Sequence, residues 1–336
     1  MDDYLTALES ELRALVASPD PAYNAYYGMF LYHMGWTDTQ FNAVKTDTGK
    51  RLRPLLCLVT CEAAGGDWRS ALPVAAAIEL AHNFSLIHDD IEDESDKRRG
   101  RTAVWKVWGL AQGLNAGDGM FVLARLALDR LRKGGMAIEN CAAVSYAFDE
   151  AMLALCQGQF LDLGFEERLN VTPDEYLEMI RGKTAALISA ATRIGAMLAT
   201  NDETVIGAFT RFGENIGLAF QITDDILGIW GNPSVTGKSA ATDILSKKKS
   251  LPAILGLNHP QYGDPLREIY RKPRLEHAHV ARVLELLDAA RVRAEAQRRA
   301  DAFRAAALDA LDTTGIKNRA MDRLRETAEV MTRRTR

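Results

Sequence analysis

Apolar residues recur at three- and four-residue spacing along almost the whole chain, and this periodicity limits the fold more than any other feature. It is the spacing of amphipathic helices, whereas half-buried strands alternate apolar and polar residues. Runs of β-branched residues with strict alternation are missing, and residues 71–77 and 185–191 are rich in alanine, which favours helix. Glycine and proline separate segments of mostly helical length, for example at Gly134–Gly135 and Thr172–Pro173. The sequence therefore predicts an all-α fold built as a bundle of helices.

The composition is that of an ordinary globular protein without an excess of positive charge. The chain has 336 residues, of which 47% are hydrophobic and 26% charged, and this length suits one large domain or two ordinary ones. No segment has the composition of an interdomain linker, so residues 1–336 are predicted to form a single domain. Acidic residues outnumber basic ones by 45 to 41, which argues against partners such as nucleic acid or anionic lipid.

Cysteine usage and the N-terminal segment both indicate a cytoplasmic protein. The chain has four cysteines without CxxC spacing, at Cys57, Cys61, Cys141 and Cys156, which fits a reducing compartment. Cys57 and Cys61 are predicted to be buried packing residues, not half of a metal site. The first residues are acidic and lack the pattern of a signal peptide. No apolar run reaches the roughly 18 residues that cross a bilayer, so we expect no membrane insertion.

The segment from His82 to Asp93 carries the first acidic motif. Asp89 and Asp93 are four residues apart, so a helix places both carboxylates on one face, and Asp90 and Glu92 add negative charge. Mg²⁺ commonly binds through one or two protein carboxylates together with substrate phosphates. The motif therefore predicts a magnesium–diphosphate site. Taken alone, it is equally typical of a solvated acidic face.

A second acidic pair, Asp224 and Asp225, follows Gln221 within an apolar helical segment. Buried carboxylates are costly unless they have a partner, and a metal ion is the most plausible partner here. A helix-end or capping role is the alternative for this pair alone. Two such helices facing each other would form a cage for several metal ions.

Basic residues lie between these motifs and would suit phosphate. Lys50 and Arg53 precede a helix, and the run 97–101 directly follows the first motif; arginine and lysine both bind phosphate groups. His82 is seven residues before Asp89 and shares its helix face, so it could contact a second diphosphate or serve as a structural histidine. Carboxylates that can bind a metal ion and basic side chains that can bind phosphate thus occur together in an apolar helical bundle. This combination predicts a diphosphate substrate with an apolar tail.

Six segments together resemble the trans-isoprenyl diphosphate synthases, also called polyprenyl synthetases. They are GKRLRP, HNFSLIHDDIEDESDKRRGRTAVW, CQGQFLDL, GKTAAL, FQITDDILGIWG and TGKSAATDILSKKKSLP, in the order and at the spacing of that family. The resemblance implies the isoprenoid synthase type I fold, a helical bundle with a central active-site cavity, and a homodimer. It also implies a Mg²⁺-dependent condensation of isopentenyl diphosphate with an allylic diphosphate, using three metal ions. Mn²⁺ is the alternative ion, since it favours the same oxygen ligands.

Roles for individual residues follow from the resemblance by position. The metal ligands would be Asp89, Asp93 and Asp224. The residues expected to take part in catalysis are Asp89, Asp90, Asp93, Asp224, Asp225, Lys183 and Gln221. Allylic diphosphate would be held by Arg98, Lys183, Lys238 and Lys248. Isopentenyl diphosphate would be held by Lys50, Arg53, His82 and Arg99. Thr184 and Gln221 would line the site where the carbocation forms.

Product length should depend on the first large side chain below the first motif. Phe84 stands five residues before Asp89, next to the small Ser85 and near the small Ala81. In similar enzymes this pattern suggests a C20 product, geranylgeranyl diphosphate. A farnesyl or longer-chain diphosphate synthase is the alternative.

One departure from the family pattern leaves other functions open. The second motif usually ends in an aspartate, and here that position is Gly228. Its loss leaves room for a terpene cyclase or a non-catalytic partner subunit on the same fold. A purely structural helical protein is disfavoured by the presence of both carboxylate motifs.

Overall fold

The computed structural model describes residues 2–44, 46, 48–231 and 242–332, and nearly all of its regular structure is helical. The helices are α1 Asp2–Leu15, α2 Asn24–His33, α3 Leu52–Ala63, α4 Leu72–Glu92, α5 Val104–Trp108, α6 Leu110–Lys133, α7 Ile138–Phe165, α8 Pro173–Ile180, α9 Ala186–Met197, α10 Glu203–Trp230, α11 Thr242–Leu245, α12 Leu251–Leu257, α13 Gly263–Tyr270, α14 His277–Ala289, α15 Val292–Asp312 and α16 Arg319–Thr332. Two 3₁₀ turns, Pro21–Tyr23 and Trp68–Ala71, and a π-helical turn, Arg181–Ala185, join them. The strands of the described chain are β1 Lys97–Arg98 and β2 Arg101–Thr102, which pair antiparallel. The predicted all-α class is confirmed.

The chain forms two compact units. The first comprises Met1–Asp149 and Ala191–Asn201, and the second comprises Glu150–Ala190 and Asp202–Arg336. The first acidic motif lies in the first unit and the second motif in the second. That residues 1–336 form a single domain stays a prediction.

Helix α4 is the central element of the first unit. It packs against α1, α3 and α6, and its apolar residues between Val74 and Ile87 are almost all buried. Within the described residues one helix, Trp68–Glu92, is long and apolar enough to cross a membrane, but 67% of its apolar window is buried in the protein. Such burial is typical of a core helix of a folded protein. The apolar part of the helix is buried, and the acidic motif lies at its C-terminal end.

The second unit is built around α10. Asp202 is the N-cap of this helix, and its side chain accepts hydrogen bonds from the Thr204 and Val205 amides, which is favourable. Its buried face includes Phe209 and Phe212, and it packs mainly on α15. The apolar majority of α10 thus fixes the helix that carries the second acidic motif.

The two cysteines of α3 have the predicted packing role. Cys57 and Cys61 are both fully buried, and burial raises the pKa of the Cys57 thiol well above its ordinary value. They are therefore neutral core side chains, as the sequence predicts.

Candidate active site

The first acidic motif occupies the C-terminal end of α4. Asp93 is the C-cap, and its N–H donates to the Asp89 carbonyl at 2.9 Å. Asp89 is half-buried and Asp93 exposed, whereas Asp90 is only 1% exposed. The two carboxylates that share a face are therefore the two that a ligand can reach.

Arg98 ties the β1–β2 hairpin to this motif. Its Nε donates to Asp90 Oδ1 at 2.8 Å, and its Nη2 donates to Asp89 Oδ2 at 3.2 Å. Arg99 and Gly100 turn the hairpin with positive φ angles of 51° and 74°. Burial raises the pKa of Asp90 although the Arg98 guanidinium acts against it. Arg98 therefore orients the carboxylates, and its predicted contact with allylic diphosphate stays a prediction.

The GKRLRP segment brings a basic cluster to the same unit. Gly49 has a φ of +80°, and a Cβ added there would lie 3.2 Å from Arg99 Nη2. Both features favour glycine, so the loop before α3 can approach the Arg99 guanidinium. Lys50 is exposed, and Arg53 Nη1 lies 3.4 Å from His82 Nε2. The structure thus brings Arg53 next to His82, and the Gly49 backbone next to Arg99.

Two neighbouring residues of this cluster have different electrostatic roles. Arg51 is buried in an ion pair with Glu79, whose Oε1 also accepts a 2.7 Å hydrogen bond from Asn83. Burial, assisted by Arg53, Arg99 and Arg98, lowers the pKa of His82 well below its ordinary value. His82 is therefore a neutral imidazole among guanidinium groups, and its role in substrate binding stays a prediction.

In the second motif, Asp225 has several protein partners. It is 1% exposed, and its Oδ2 accepts from the Tyr176 hydroxyl at 2.5 Å and from the Leu251 amide at 2.9 Å. Its Oδ1 accepts from Gln221 Nε2 at 3.0 Å, with Lys248 Nζ at 3.8 Å. These protein groups offset the cost of burying Asp225, and a metal ion as a further partner of this acidic pair stays a prediction. Asp224 is half-buried and stays the candidate ligand of this motif.

A π-helical turn places the next two predicted residues. Lys183 Nζ forms a 2.5 Å ion pair with Asp162 Oδ2 of α7, and Thr184 Oγ1 donates to Gln221 Oε1 at 2.8 Å. A Cβ on Gly158 would lie 2.1 Å from the Lys183 amide nitrogen, so glycine is needed for α7 to pass this close. Single π turns often occur at functional sites. Lys183 as a ligand of allylic diphosphate stays a prediction.

Asp162 was not singled out by the sequence analysis. It lies within the quoted segment CQGQFLDL, four residues after Gly158. This four-residue spacing could have identified Asp162, because it places the carboxylate one helical turn from Gly158, where the Lys183 backbone approaches α7.

The position of the missing aspartate is filled by another carboxylate. A Cβ on Gly228 would lie 2.1 Å from Asp243 Oδ2, so the Asp243 side chain occupies the space where a side chain at 228 would begin. Asp243 belongs to α11, and its carbonyl accepts from the Lys248 amide at 2.9 Å. Burial opposes the charge of Lys248, yet Asp225 and Asp243 raise its pKa. Lys238 lies outside the described residues.

Gly228→Asp, the change that would complete the family's second motif, is expected to destabilise the protein. The new side chain meets Asp243 Oδ2 within 2.1 Å and adds a like charge, so the free energy of unfolding should fall by about 1–3 kcal/mol. Urea unfolding measures this. The double variant Gly228→Asp/Asp243→Gly should recover most of the lost stability. An unchanged unfolding midpoint in Gly228→Asp would contradict the conclusion that Asp243 fills the space at position 228.

The residues near Asp89 fit a divalent metal ion by their donor chemistry. Within the described chain no group of three or more histidine, cysteine, aspartate or glutamate side chains forms a closed metal site. The accessible Asp89 and Asp93 carboxylates are nevertheless hard oxygen donors, and Asp90 Oδ2 is buried without a hydrogen-bond partner among the described residues. Mg²⁺ needs only one or two protein carboxylates when phosphates complete its shell.

Below the first motif, Phe84 packs in an aromatic cluster. It is 8% exposed, and its ring centroid lies 5.0 Å from that of Phe121 on α6 and 5.9 Å from that of His88. Ser85 donates to the His82 carbonyl at 2.9 Å, and Ala81 is fully buried. Phe121 was missed by the sequence analysis because it is far from Phe84 in the chain.

The helical architecture is that of the all-α isoprenoid synthase type I fold. Residues 35–287 match the family model for polyprenyl synthetase, and the chain belongs to this family. The resemblance seen in the sequence is confirmed.

Relatives within the family carry two different names. The chain is 45% identical over 228 residues to (2E,6E)-farnesyl diphosphate synthase from Mycobacterium tuberculosis, covering 68% of this chain and 62% of that protein. It therefore spans less than two thirds of that relative's length. It is also 39% identical over 284 residues to geranylgeranyl diphosphate synthase from the same organism, covering 83% of this chain and 79% of the relative.

A solved structure has the same fold over nearly the whole chain. The crystal structure of a polyprenyl synthetase from Streptomyces coelicolor matches with a TM-score of 0.90 and 34% identity, covering 98% of both chains.

Proposed function

We propose that this protein is a prenyltransferase that condenses isopentenyl diphosphate with an allylic diphosphate to form a linear trans-polyprenyl diphosphate. The observation that carries the proposal is the first unit's juxtaposition of accessible Asp89 and Asp93 with the guanidinium groups of Arg53 and Arg99 and the neutral His82. The carboxylates that would bind a metal-bound diphosphate lie at the end of α4. The basic groups that would bind a second diphosphate lie near them, on α3 and in the β1–β2 hairpin. Both relatives carry names of this reaction class.

In the proposed mechanism the carboxylates and the cations have separate tasks. Asp89 and Asp93 would hold Mg²⁺ on the allylic diphosphate, Asp224 is the ligand that the second motif would supply, and three ions are expected. When bound, the metal neutralises charge that develops on the departing diphosphate. Asp90 and Arg98 fix the Asp89 carboxylate, because their partly buried ion pair at 2.6 Å restricts the rotamers of both side chains.

The basic cluster orients the second substrate. Lys50, Arg53 and Arg99 hold the isopentenyl diphosphate so that its double bond meets the allylic carbon, and this positioning supplies much of the rate. The allylic C–O bond breaks, the electrons of the isopentenyl double bond form the new C–C bond, and the resulting cation loses a proton to the departing diphosphate as the new double bond forms. Thr184 and Gln221, already hydrogen-bonded to each other at 2.8 Å, would line the place where positive charge develops.

We propose geranylgeranyl diphosphate, with twenty carbons, as the product. The support is the buried position of Phe84, about 7.5 Å along α4 from Asp89 at 1.5 Å per residue. The relatives named for farnesyl and geranylgeranyl products make a C15 product the second candidate. The protein is further proposed to act in the cytoplasm as a single domain.

A product assay tests this function. Purified protein is incubated with Mg²⁺, labelled isopentenyl diphosphate and each of the C5, C10 and C15 allylic diphosphates, and the dephosphorylated alcohols are separated. A single C20 alcohol supports the proposal, and a shorter or longer linear alcohol would retain the synthase but reject the Phe84 assignment. Hydrocarbon or alcohol formed without isopentenyl diphosphate would instead indicate a terpene cyclase. Metal-dependent binding without turnover would indicate a non-catalytic subunit.

The proposed homodimer is supported by an exposed apolar stripe on α7. Tyr146, Leu153 and Phe160 are 65%, 61% and 75% exposed, and their seven-residue spacing places them on one helix face. On α6, Val122 and Leu126 are also more than half exposed. Large apolar side chains exposed along one helix face are typical of an interaction site. A second copy is the occupant that the family resemblance implies.

We expect the wild-type protein to sediment as a dimer and the double variant Leu153→Glu/Phe160→Glu to sediment as a monomer. Two carboxylates in the stripe would have to be desolvated, which costs more than the contact returns. Analytical ultracentrifugation at micromolar concentration measures the mass. Val330→Glu, at a residue of α16 that is 58% exposed, is the matched control and should stay dimeric. A monomeric wild type would refute the proposal.

A further inference from the structure

His33 is a buried histidine for which the proposed mechanism has no use. It is the last residue of α2, is 7% exposed, and was not singled out by the sequence. Its Nε2 has no hydrogen-bond partner among the described residues. A buried polar atom without a partner is costly, so a group from outside the described residues is expected to pair with it.

The surroundings of His33 specify the charge of that ligand. A small cavity is lined by His33 together with Arg98, Arg99 and Arg101. Burial and these guanidinium groups, with Arg51, lower the pKa of His33 well below its ordinary value, so the imidazole is neutral. Guanidinium groups only donate hydrogen bonds. An acceptor with negative charge would satisfy both the guanidinium groups and an imidazole N–H.

His33 is held firmly at this cavity. Arg101 donates to the Tyr32 carbonyl at 2.8 Å and to the Thr37 carbonyl at 2.5 Å, and its guanidinium lies 4.0 Å from the Tyr32 ring centroid. The Tyr32 hydroxyl donates to the Thr102 carbonyl at 2.8 Å. These bonds fix the end of α2 against β2, so the imidazole is preorganised for a ligand.

We propose that His33 is a further binding residue for the diphosphate of isopentenyl diphosphate, donating from Nε2 to a phosphate oxygen beside Arg99. This inference rests on the proposed function and adds a residue to its second diphosphate site. His82, which has electrostatic contact with His33 as well as with Arg53 and Arg99, lies in the same cluster. The allylic diphosphate is the other possible source of the anion, and the experiment separates the two.

Calorimetric titration tests the inference without turnover, since isopentenyl diphosphate alone has no co-substrate. His33→Leu should raise the Kd for isopentenyl diphosphate about tenfold, as expected for one lost hydrogen bond to a charged group. The Kd for a non-hydrolysable thio analogue of geranyl diphosphate, measured with Mg²⁺, should change less than about twofold. His33→Gln, which keeps an N–H donor, should recover most of the affinity. His277→Leu, at an exposed histidine, is the control.

The outcomes separate this inference from the proposed function. Wild-type protein that binds isopentenyl diphosphate while His33→Leu binds it equally well would overturn the inference alone. Equal weakening for both ligands would also overturn it. Wild-type protein that binds no isopentenyl diphosphate would overturn the proposed function and the inference together. If His33→Leu does not fold, as judged by circular dichroism, His33→Asn carries the same expectation because its amide is too short to reach.

Discussion

Asp89→Asn is expected to lower kcat of the proposed condensation by about 10²- to 10³-fold, the scale observed when one group that stabilises transition-state charge is removed. Asp89 is half-buried, shares a helix face with Asp93, and is oriented by Arg98 at 3.2 Å. The amide keeps the size of the side chain but loses the negative charge that would hold Mg²⁺. Steady-state rates over a range of Mg²⁺ concentrations measure the effect.

Two further variants make this experiment specific. Asp93→Asn should act in the same direction and also raise the Mg²⁺ concentration needed for half-maximal rate. Asp96→Asn is the matched control, because Asp96 is an exposed aspartate close by that pairs with Lys106 at 2.9 Å. A kcat for Asp89→Asn within about threefold of the wild-type kcat would refute the assignment of the first motif as the metal-binding site.

The features that the sequence predicts well are those set by neighbours along the chain. The helical class follows from apolar spacing, and the shared face of Asp89 and Asp93 follows from their separation by one turn of α4. The apolar character of α4 and α10 follows in the same way. Periodicity is local, so no knowledge of the partner helix is needed to recognise it.

Tertiary contacts explain what the sequence could not predict. The partners of Asp225 are Tyr176 of α8 and the amide of Leu251 at the start of α12, and no spacing rule connects these positions. The Asp243 carboxylate that fills the space at Gly228 comes from a separate helix. That His33 Nε2 has no hydrogen-bond partner within the described part of the chain follows from how the end of α2 packs against β2, which the sequence does not give. Each case depends on how segments distant in sequence pack.

Phe84→Ala is expected to lengthen the product beyond its wild-type length by at least one isoprene unit. In the proposed reaction the growing chain extends from the first motif along α4 until a large side chain stops it. Phe84 is the first such residue on that path, and truncation to alanine removes its ring from contact with Phe121 at 5.0 Å. Chromatography of the dephosphorylated alcohols, with C15 allylic diphosphate as starter, measures the length distribution.

The aromatic pair provides a sharper form of the same test. If the two rings form one barrier, Phe121→Ala should lengthen the product less than Phe84→Ala, and the double variant should lengthen it most.

Truncation of a buried phenylalanine typically costs about 3–5 kcal/mol of stability, so unfolding midpoints are needed, and Phe84→Leu offers a milder variant. Phe165→Ala, at a core residue of the second unit that is 2% exposed, matches the loss of volume away from the first motif and should leave the product unchanged. An unchanged product in Phe84→Ala that stays folded would show that this ring is core packing alone, because a barrier that is removed must let the chain grow.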